Sequence, residues 1–279
     1  MSMAATYGVD PEYGTTDVGN GVSIYYQHYK RSPKGLCLVL LHSLAMDHRF
    51  WRLVAPEIAK RISVVCIDIR GHGASAKPQG PYSIALFAQD VMHVTQALGY
   101  EKVIVGGASM GGCIALQFAI DYPELTAALA LIDTTAWYGP SAPQDWQGRA
   151  QKARAEGLAS LVKFQTTRWF SDAFLAQHPE LVQECIDAFL SNDIEAYAAT
   201  CHAMGDFNAQ EQAKDIAPPT AVIVGEEDYA APVDMARRLH ESIAGSTLTI
   251  IPAARHLTPL ETPDVIIAAL SGLLADAAE

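Results

Sequence analysis

A serine in a glycine-rich turn is the residue of this sequence best placed to do chemistry. The turn Gly107–Ala108–Ser109–Met110–Gly111 follows a short apolar run, Val103–Val105, and precedes a second apolar segment, Cys113–Ile120. Small neighbours allow a sharp turn between a buried strand and a helix, and such a turn exposes the serine hydroxyl at the carboxyl end of a sheet. The positive end of the helix then faces any oxyanion that forms there. We therefore predict that Ser109 is a nucleophile.

A serine hydroxyl needs a base and a group that orients the base, and two later loops supply candidates. His256 follows the apolar run Leu248–Ile251, so its loop leaves the carboxyl end of a predicted strand. Asp228 follows the run Ala221–Val224 in the same way, and Asp133 follows a third run as a rival acid. We interpret His256 as the base and Asp228 as its orienting carboxylate. The chain order serine, aspartate, histidine differs from the orders found in two other families of serine hydrolases.

The elements that must position these residues show two alternating sequence periods. Short, nearly continuous apolar runs such as Leu36–Leu41 and Val64–Ile67 are typical of strands that are covered on both faces. Helical spacing occurs between and after them, at Phe50–Arg61 and Ile84–Leu98. Strands that alternate with helices predict βαβ units and a parallel sheet flanked by helices. The predicted fold class is therefore α/β.

One long segment interrupts this alternation. Between residues 134 and 214 only helical patterns occur, and strand patterns resume at Ala221. We expect this segment to be a helical cap inserted into a core domain that comprises residues 15–133 and 215–279. Residues 1–14 carry acidic side chains and no apolar block, so we expect a flexible leader and not a signal peptide.

The composition excludes several classes of function. The chain carries 19 lysines and arginines against 31 aspartates and glutamates, a net charge of −12, so we expect no nucleic-acid binding. The five cysteines are isolated and no His-Glu-x-x-His sequence occurs, so we expect no disulfide framework, metal or cofactor. Glycines interrupt the longest uncharged stretch, Val103–Ile120, which argues against a membrane span. We expect a cytoplasmic protein that binds a small molecule, and the oligomeric state stays open.

Five stretches together resemble enzymes of the α/β-hydrolase fold superfamily over residues 15–275. They are Leu40–Leu44, Asp68–Ser75, the turn around Ser109, Asp228–Pro232 and His256–Pro263. The resemblance implies an eight-stranded, mostly parallel sheet with an antiparallel first hairpin and a helical cap. It also implies that Ser109 is the nucleophile, His256 the base and Asp228 its orienter.

The same resemblance implies an oxyanion hole made of two backbone N–H groups. One belongs to Met110, directly after the predicted nucleophile, and the other to Leu44, in the loop that follows the first core strand. Many members of the superfamily have glycine at the position of Ser43. Ser43 therefore stays open as the alternative donor from this loop, with Leu44 favoured.

Within the superfamily, a serine nucleophile excludes the haloalkane dehalogenase and epoxide hydrolase branches, which use aspartate. The chain is most similar to 3-oxoadipate enol-lactonases, through His42–Asp47, the turn around Ser109, Arg168–Phe170 and His178–Glu180. This resemblance implies hydrolysis of a small ester or lactone, such as a carboxylated enol-lactone from aromatic degradation, through an acyl-enzyme. A C–C bond hydrolase of vinylogous diketones and a broad carboxylesterase are alternatives, and a non-catalytic ligand-binding member of the fold is a more remote one.

The candidate substrate-pocket residues lie beside the predicted oxyanion loop or in the cap: His42, Ser43, Trp137, Arg168 and Trp169. For His42 a purely structural role stays open. The two tryptophans are candidates for apolar walls, with ordinary packing inside the cap as the alternative. Arg168 or Arg49 could supply a local positive charge for an anionic substrate in this acidic protein, and packing on aromatic neighbours is the alternative for both.

Overall fold

An eight-stranded sheet forms the centre of the part of the chain that the computed structural model describes, residues 10–31 and 35–277. In chain order its strands are β1 (Glu12–Asp17), β2 (Ser23–Tyr29), β3 (Leu36–Leu41), β4 (Ser63–Ile67), β5 (Lys102–Ala108), β6 (Thr126–Ile132), β7 (Thr220–Gly225) and β8 (Thr247–Ile251). Their spatial order is β1-β2-β4-β3-β5-β6-β7-β8. The pairs β1–β2 and β2–β4 are antiparallel and all later pairs are parallel. The predicted α/β fold is confirmed.

Eleven α-helices accompany the sheet within the described ranges. In chain order they are α1 (Ala55–Ile58), α2 (Ile84–Ala97), α3 (Met110–Asp121), α4 (Ala142–Glu156), α5 (Val162–Trp169), α6 (Asp172–Gln177), α7 (Pro179–Leu190), α8 (Ile194–Asp206), α9 (Val233–Ser242), α10 (Thr258–Glu261) and α11 (Pro263–Asp276). Helix α3 packs against α2 on one side and against β5 and β6 on the other. The sheet is thus covered by helices, which explains the almost continuous apolar composition of its central strands.

The helix predicted over Phe50–Arg61 is wrong in its extent. A 3-10 turn occupies His48–Trp51, and a separate four-residue helix, α1, follows it. Pro56 explains the break, because proline has no N–H to donate and its ring clashes with the carbonyl of the preceding helical turn. A helix can begin at such a residue but does not continue through it.

Helices α4 to α8 all lie between β6 and β7, where the sequence predicted helices alone. We call residues 134–214 the cap segment. Helix α4 packs along α8, and the backbone of Trp137 pairs with that of Asn208, so the two ends of the segment meet. That the segment is a separate cap domain over the core stays a proposal. Helix α6 was not predicted, because a six-residue helix gives too few repeats for a periodic signal.

The predicted leader, residues 1–14, lies mostly outside the described residues. Its last three residues, 12–14, belong to β1 and pair with residues 26–28 of β2, so the predicted end of the leader is wrong. Strand β1 is at the edge of the sheet and is largely exposed, and its sequence therefore lacks the apolar run of a buried strand. None of the helices in the described ranges has both the length and the hydropathy needed to cross a membrane.

Candidate active site

Ser109 lies at the junction between β5 and α3, at the carboxyl edge of the sheet. Its backbone φ is +55°, in the left-handed region that residues with side chains rarely adopt. A Cβ atom on Gly107 would lie 2.1 Å from the carbonyl oxygen of Gly111, and one on Gly111 would lie 2.1 Å from that of Leu41. Glycine is therefore required on both sides of Ser109, as expected for a strand–turn–helix junction that presents a serine.

His256 joins Ser109 to Asp228 through its two ring nitrogens. Its Nε2 lies 2.9 Å from the Oγ of Ser109, and its Nδ1 lies 2.8 Å from the Oδ2 of Asp228. A carboxylate only accepts hydrogen bonds, so Nδ1 carries the proton and Nε2 accepts the hydrogen bond from the serine hydroxyl. All three residues are more than nine-tenths buried. The structure thus brings the predicted nucleophile, base and orienter into one hydrogen-bonded chain.

Asp228 is held in place by the loop that follows β7. Its Oδ1 accepts hydrogen bonds from the N–H groups of Ala230 at 2.7 Å and Ala231 at 2.9 Å. Its other oxygen, Oδ2, is left to face His256. The loop therefore fixes the direction of the carboxylate before any substrate binds.

Asp133, the rival acid, is fully buried and has other partners. Its Oδ1 accepts from the N–H of Gly225 at 3.2 Å, and its Oδ2 accepts from the N–H and the hydroxyl of Thr258 at 3.1 and 2.7 Å. Burial, and then the charge of Asp228, raise the pKa of the Asp133 carboxyl well above its usual range. Asp133 thus ties the loop before Asp228 to the loop after His256.

Two backbone N–H groups stand where the sequence predicts an oxyanion hole. Met110 is the first residue of α3, so its N–H has no acceptor within the helix. Leu44 lies in the loop after β3 and lines the same cavity as Ser109. Within the described ranges neither N–H donates to a protein acceptor outside regular secondary structure. Ser43 also lines the cavity, so the choice between Leu44 and Ser43 as loop donor stays open.

His42 does not line the cavity, which corrects its prediction as a pocket residue. Its ring is fully buried, its Nδ1–H donates to the carbonyl of Ser43 at 2.8 Å, and its Nε2 accepts from the N–H of Ile69 at 3.0 Å. Burial lowers the pKa of this imidazole, which favours the neutral ring. His42 therefore shapes the loop that carries Leu44, the structural role that the sequence left open.

A cavity of about 670 Å³ lies above Ser109, between the sheet edge and the cap segment. Ser43, Arg168 and Trp169 line it, as predicted, together with Ser109 and His256. Trp137 does not: it is half-buried with its backbone paired to Asn208, and the next residue, Tyr138, faces the cavity. Successive side chains of an extended backbone point in opposite directions, so the prediction was wrong by one residue.

The cavity wall is basic although the whole chain is acidic. Three cationic side chains line it against one carboxylate, Asp145; the cations are Arg149, Lys152 and Arg168. The other arginine that the sequence suggested, Arg49, lies outside this cavity and pairs with Asp47 at 2.6 Å. The positive charge beside Ser109 therefore comes from the cap segment alone.

Arg149 is one of two cavity cations that the sequence did not predict, the other being Lys152. Its Nε donates to the hydroxyl of Tyr197 at 2.6 Å, and its guanidinium lies 4.9 Å from the ring centre of Trp146. Within the described residues no carboxylate lies within 4 Å of it. Helix periodicity could have found it, because Arg149 shares a face of α4 with Trp146 and with the buried Ala150 and Ala153.

Arg168 lies at the end of α5 and faces the same cavity. Its Nη1 donates to the carbonyl of Tyr229 at 2.8 Å, and its guanidinium lies 4.3 Å from the ring centre of Phe164. Burial, and then the like charge of Arg149, lower the pKa of this guanidinium. Two arginines therefore share one cavity, and an anion placed between them would relieve their repulsion.

The loop that carries His256 is bound to the cap segment by backbone and side-chain hydrogen bonds. The N–H groups of His256 and Leu257 donate to the carbonyls of Arg168 at 3.3 Å and Trp169 at 3.0 Å. The Nη1 of Arg255 donates to the carbonyl of Phe170 at 2.8 Å. The end of α5 therefore helps to hold the backbone at His256 in place.

One cluster, Asp47, His48 and Asp68, has its ligand atoms within 4.8 Å of one another, close enough to hold a metal ion. Protein donors already occupy these oxygens: Asp68 accepts from His48 and from the N–H of Ala74, and Asp47 accepts from Arg49. These hydrogen bonds explain why the three residues lie together: they hold the loop of Asp47 and His48 against the loop of Asp68.

Comparison with known proteins identifies the family of the chain. Residues 37–263 match a family model described as alpha/beta hydrolase fold. The 3-oxoadipate enol-lactonase 2 of Acinetobacter baylyi is 31% identical over 237 residues, which are 85% of this chain and 88% of that protein. The enol-lactonase structure from Burkholderia xenovorans superposes with a TM-score of 0.88 at 29% identity, over 94% of this chain and 100% of that one.

An esterase is similar to nearly the same degree. The thermophilic esterase of Thermogutta terrifontis, solved with malate bound, has a TM-score of 0.87 and 27% identity, over 96% of this chain and 99% of that one. The predicted resemblance to enol-lactonases is confirmed, and the esterase shows that the same overall structure serves more than one kind of hydrolase.

Proposed function

This chain belongs to the α/β-hydrolase fold family, and we propose that Ser109, His256 and Asp228 are its nucleophile, base and orienting acid. As a member with enol-lactonase and esterase relatives, it is a hydrolase of carboxylic esters or lactones. We further propose that its substrate is a small ester or lactone that carries a carboxylate. The observation that carries the proposal is the hydrogen-bonded chain of three side chains at the floor of a basic cavity.

In the first half-reaction, Oγ of Ser109 attacks the carbonyl carbon while its proton passes to Nε2 of His256. Asp228 holds the imidazole in the required tautomer and stabilises the imidazolium that forms. The carbonyl oxygen becomes an oxyanion, and the N–H groups of Met110 and Leu44 donate hydrogen bonds to it. In serine hydrolases the loss of one such donor costs about 3–4 kcal/mol of transition-state stabilisation.

The tetrahedral intermediate then collapses to an acyl-enzyme. The bond between the carbonyl carbon and the leaving oxygen breaks, the electron pair goes to that oxygen, and the proton on Nε2 of His256 neutralises it. In the second half-reaction His256 takes a proton from water as the water attacks the acyl carbon. Ser109 leaves with that proton, and the free carboxylic acid is released.

The cavity cations are the reason for proposing a carboxylated substrate. A protein with a net charge of −12 repels anions at long range, but salt screens that field over about 8 Å. Inside the cavity the guanidinium groups of Arg149 and Arg168 act at contact distance, and no carboxylate of the described residues neutralises either. Guanidinium binds carboxylate through paired hydrogen bonds, which supplies both affinity and orientation.

A broad carboxylesterase is the second candidate, favoured by the similarity to the Thermogutta terrifontis esterase. The two functions differ in how the enzyme treats substrate charge. The test compares a five-membered enol-lactone with a carboxymethyl group and the neutral analogue in which an amide replaces the carboxylate. We expect the wild-type kcat/KM to be at least tenfold higher for the carboxylate. Equal values would favour the broad esterase.

Arg149→Met makes that comparison specific to one cation. We expect KM for the carboxylate to rise about 10- to 100-fold, since a hydrogen bond to a charged group contributes about 1.5–3 kcal/mol, while the amide analogue changes less than about threefold. Arg154→Met is the matched control, because Arg154 is exposed, pairs with Glu195 and lies outside the cavity. A loss of equal size for both substrates would contradict a carboxylate-binding role of Arg149.

A further inference from the structure

Tyr138 places a hydroxyl group in the active-site cavity, and the mechanism above gives it no role. It lies in the loop between β6 and α4, half-buried, and lines the cavity together with Ser109 and His256. Its ring packs edge-on against that of Trp146, with ring centres 5.5 Å apart at 78°. This contact fixes the ring, and therefore the direction in which the hydroxyl points.

The hydroxyl of Tyr138 is directed towards the start of α3. It accepts a weak hydrogen bond from Sγ of Cys113 at 3.9 Å, and Cys113 is in the first turn of that helix. Burial raises the pKa of Tyr138 well above its ordinary value. Tyr138 is therefore protonated at neutral pH, and it has an O–H to donate beside the nucleophile.

The order of the strands determines which side of Ser109 this hydroxyl approaches. Strand β5, which ends at Ser109, lies between β3 and β6. The loop with Leu44 follows β3, and Tyr138 follows β6, so the two reach Ser109 from opposite sides. Because the loop with Leu44 receives the oxyanion, Tyr138 faces another substituent of the tetrahedral carbon. His256 comes from the same side as Tyr138, since its loop follows β8.

We propose that Tyr138 is a further catalytic residue, whose hydroxyl donates a hydrogen bond to the leaving oxygen as the acyl C–O bond breaks. This inference deepens the proposed function and rests on it. The electron pair of the broken bond goes to the leaving oxygen, and the proton that neutralises it comes from Nε2 of His256. Tyr138 keeps its own proton throughout. It stabilises the charge that the oxygen carries before the transfer is complete.

The contribution of such a donor depends on the leaving group. An alkoxide is strongly basic, so charge on its oxygen is costly and a hydrogen bond to it gains strength as the C–O bond breaks. A 4-nitrophenolate spreads its charge over the ring and departs readily without help. Loss of the Tyr138 hydroxyl should therefore slow the release of an alkoxide far more than the release of a nitrophenolate.

The test uses Tyr138→Phe, which removes one oxygen and keeps the ring that packs on Trp146. The probes are monoethyl succinate and mono-4-nitrophenyl succinate, which share an acyl group and differ in leaving group. We expect kcat/KM for the ethyl ester to fall about 10- to 100-fold, and for the nitrophenyl ester less than about threefold. Tyr122→Phe is the matched control, because Tyr122 follows the far end of α3 and lies outside the cavity, so both values should stay at the wild-type level.

Two results would overturn the role of Tyr138: an equal loss with both esters, which is the mark of a structural residue, or no loss with either. Both results leave the proposed function standing, provided that the wild type hydrolyses the esters and Ser109→Ala does not. If Ser109→Ala hydrolyses them as fast as the wild type, the proposed function fails, and the role of Tyr138 fails with it. Thermal unfolding of Tyr138→Phe within a few degrees of the wild type shows that the variant folds.

Discussion

The two walls of the active-site cavity are built in different ways. The sheet wall comprises Leu44, Ser109 and His256, with Asp228 behind His256, and each of these four residues follows a parallel strand. The cap wall comprises cavity residues of the cap segment, chiefly Tyr138, Trp146, Arg149 and Arg168. Backbone hydrogen bonds between strands fix the ends of the sheet-wall loops, whereas side-chain packing among helices fixes the cap wall. Under the proposed function, the sheet wall carries the nucleophile and its base, whereas the cap wall selects the substrate and adds the leaving-group donor Tyr138.

A large effect that separates the two walls is expected at Asp228. Asp228→Asn takes away the acceptor that holds the tautomer of His256, so we expect kcat to fall about 10⁴-fold for every substrate, equivalent to about 5.5 kcal/mol. A cap-wall change such as Arg149→Met should act on KM, and only for charged substrates. Initial rates with the carboxylated lactone and its amide analogue measure both effects.

Asp133→Asn is the matched control for that experiment, since Asp133 is a second buried carboxylate at the sheet edge. It accepts three hydrogen bonds from Gly225 and Thr258. We expect a loss of less than about tenfold in kcat and a decrease of about 1–3 kcal/mol in the free energy of unfolding. A mild effect of Asp228→Asn beside a loss of 10³ or more in Asp133→Asn would exchange the roles of the two acids.

A smaller effect, on stability alone, is expected when the pH is lowered. The imidazole of His72 lies 5.2 Å from that of His42 beneath the sheet wall, and burial lowers its pKa from 6.5 to about 3. Between these values the unfolded chain binds more protons than the folded one. The free energy of unfolding therefore keeps the full contribution of His72 above pH 6.5 and decreases as the pH falls towards 3. At pH 4.5 the free energy of unfolding is lower by about 2–3 kcal/mol, because each pH unit below 6.5 removes about 1.4 kcal/mol.

Urea unfolding at pH 7 and pH 4.5, of the wild type and of His72→Gln, measures this contribution. The wild type should lose about 2–3 kcal/mol more than the variant between the two pH values. If both proteins lose the same free energy of unfolding, His72 is not a source of acid sensitivity.

The same contrast explains what the sequence could predict. The turn around Ser109 needs glycine at Gly107 and Gly111, and the loops of Asp228 and His256 directly follow apolar strands. Parallel strands bring their carboxyl ends to one edge whatever the details of packing, so sequence positions alone bring these residues together. The convergence of Ser109, Asp228 and His256 was therefore predictable from the sequence, whereas the choice between Leu44 and Ser43 was not.

The cap wall was predictable only in part. Trp137 and Tyr138 are adjacent, and which of them faces the cavity depends on a backbone pairing with Asn208, some 70 residues away. The pocket prediction for His42 was wrong for a related reason, since hydrogen bonds hold its ring between Ser43 in its own loop and Ile69 in the loop after β4. Such orientations depend on tertiary contacts, and single-residue patterns carry little information about them.

Covalent labelling tests most directly whether Ser109 is the nucleophile. Treatment with a fluorophosphonate, followed by peptide mass spectrometry, should place one phosphonyl group per chain on Ser109 and abolish hydrolysis in the same proportion. Ser109→Ala should take up no label, keep the wild-type unfolding temperature and lose about 10⁶-fold in kcat. Unlabelled Ser109 in an active enzyme, or wild-type turnover by Ser109→Ala, would contradict the account.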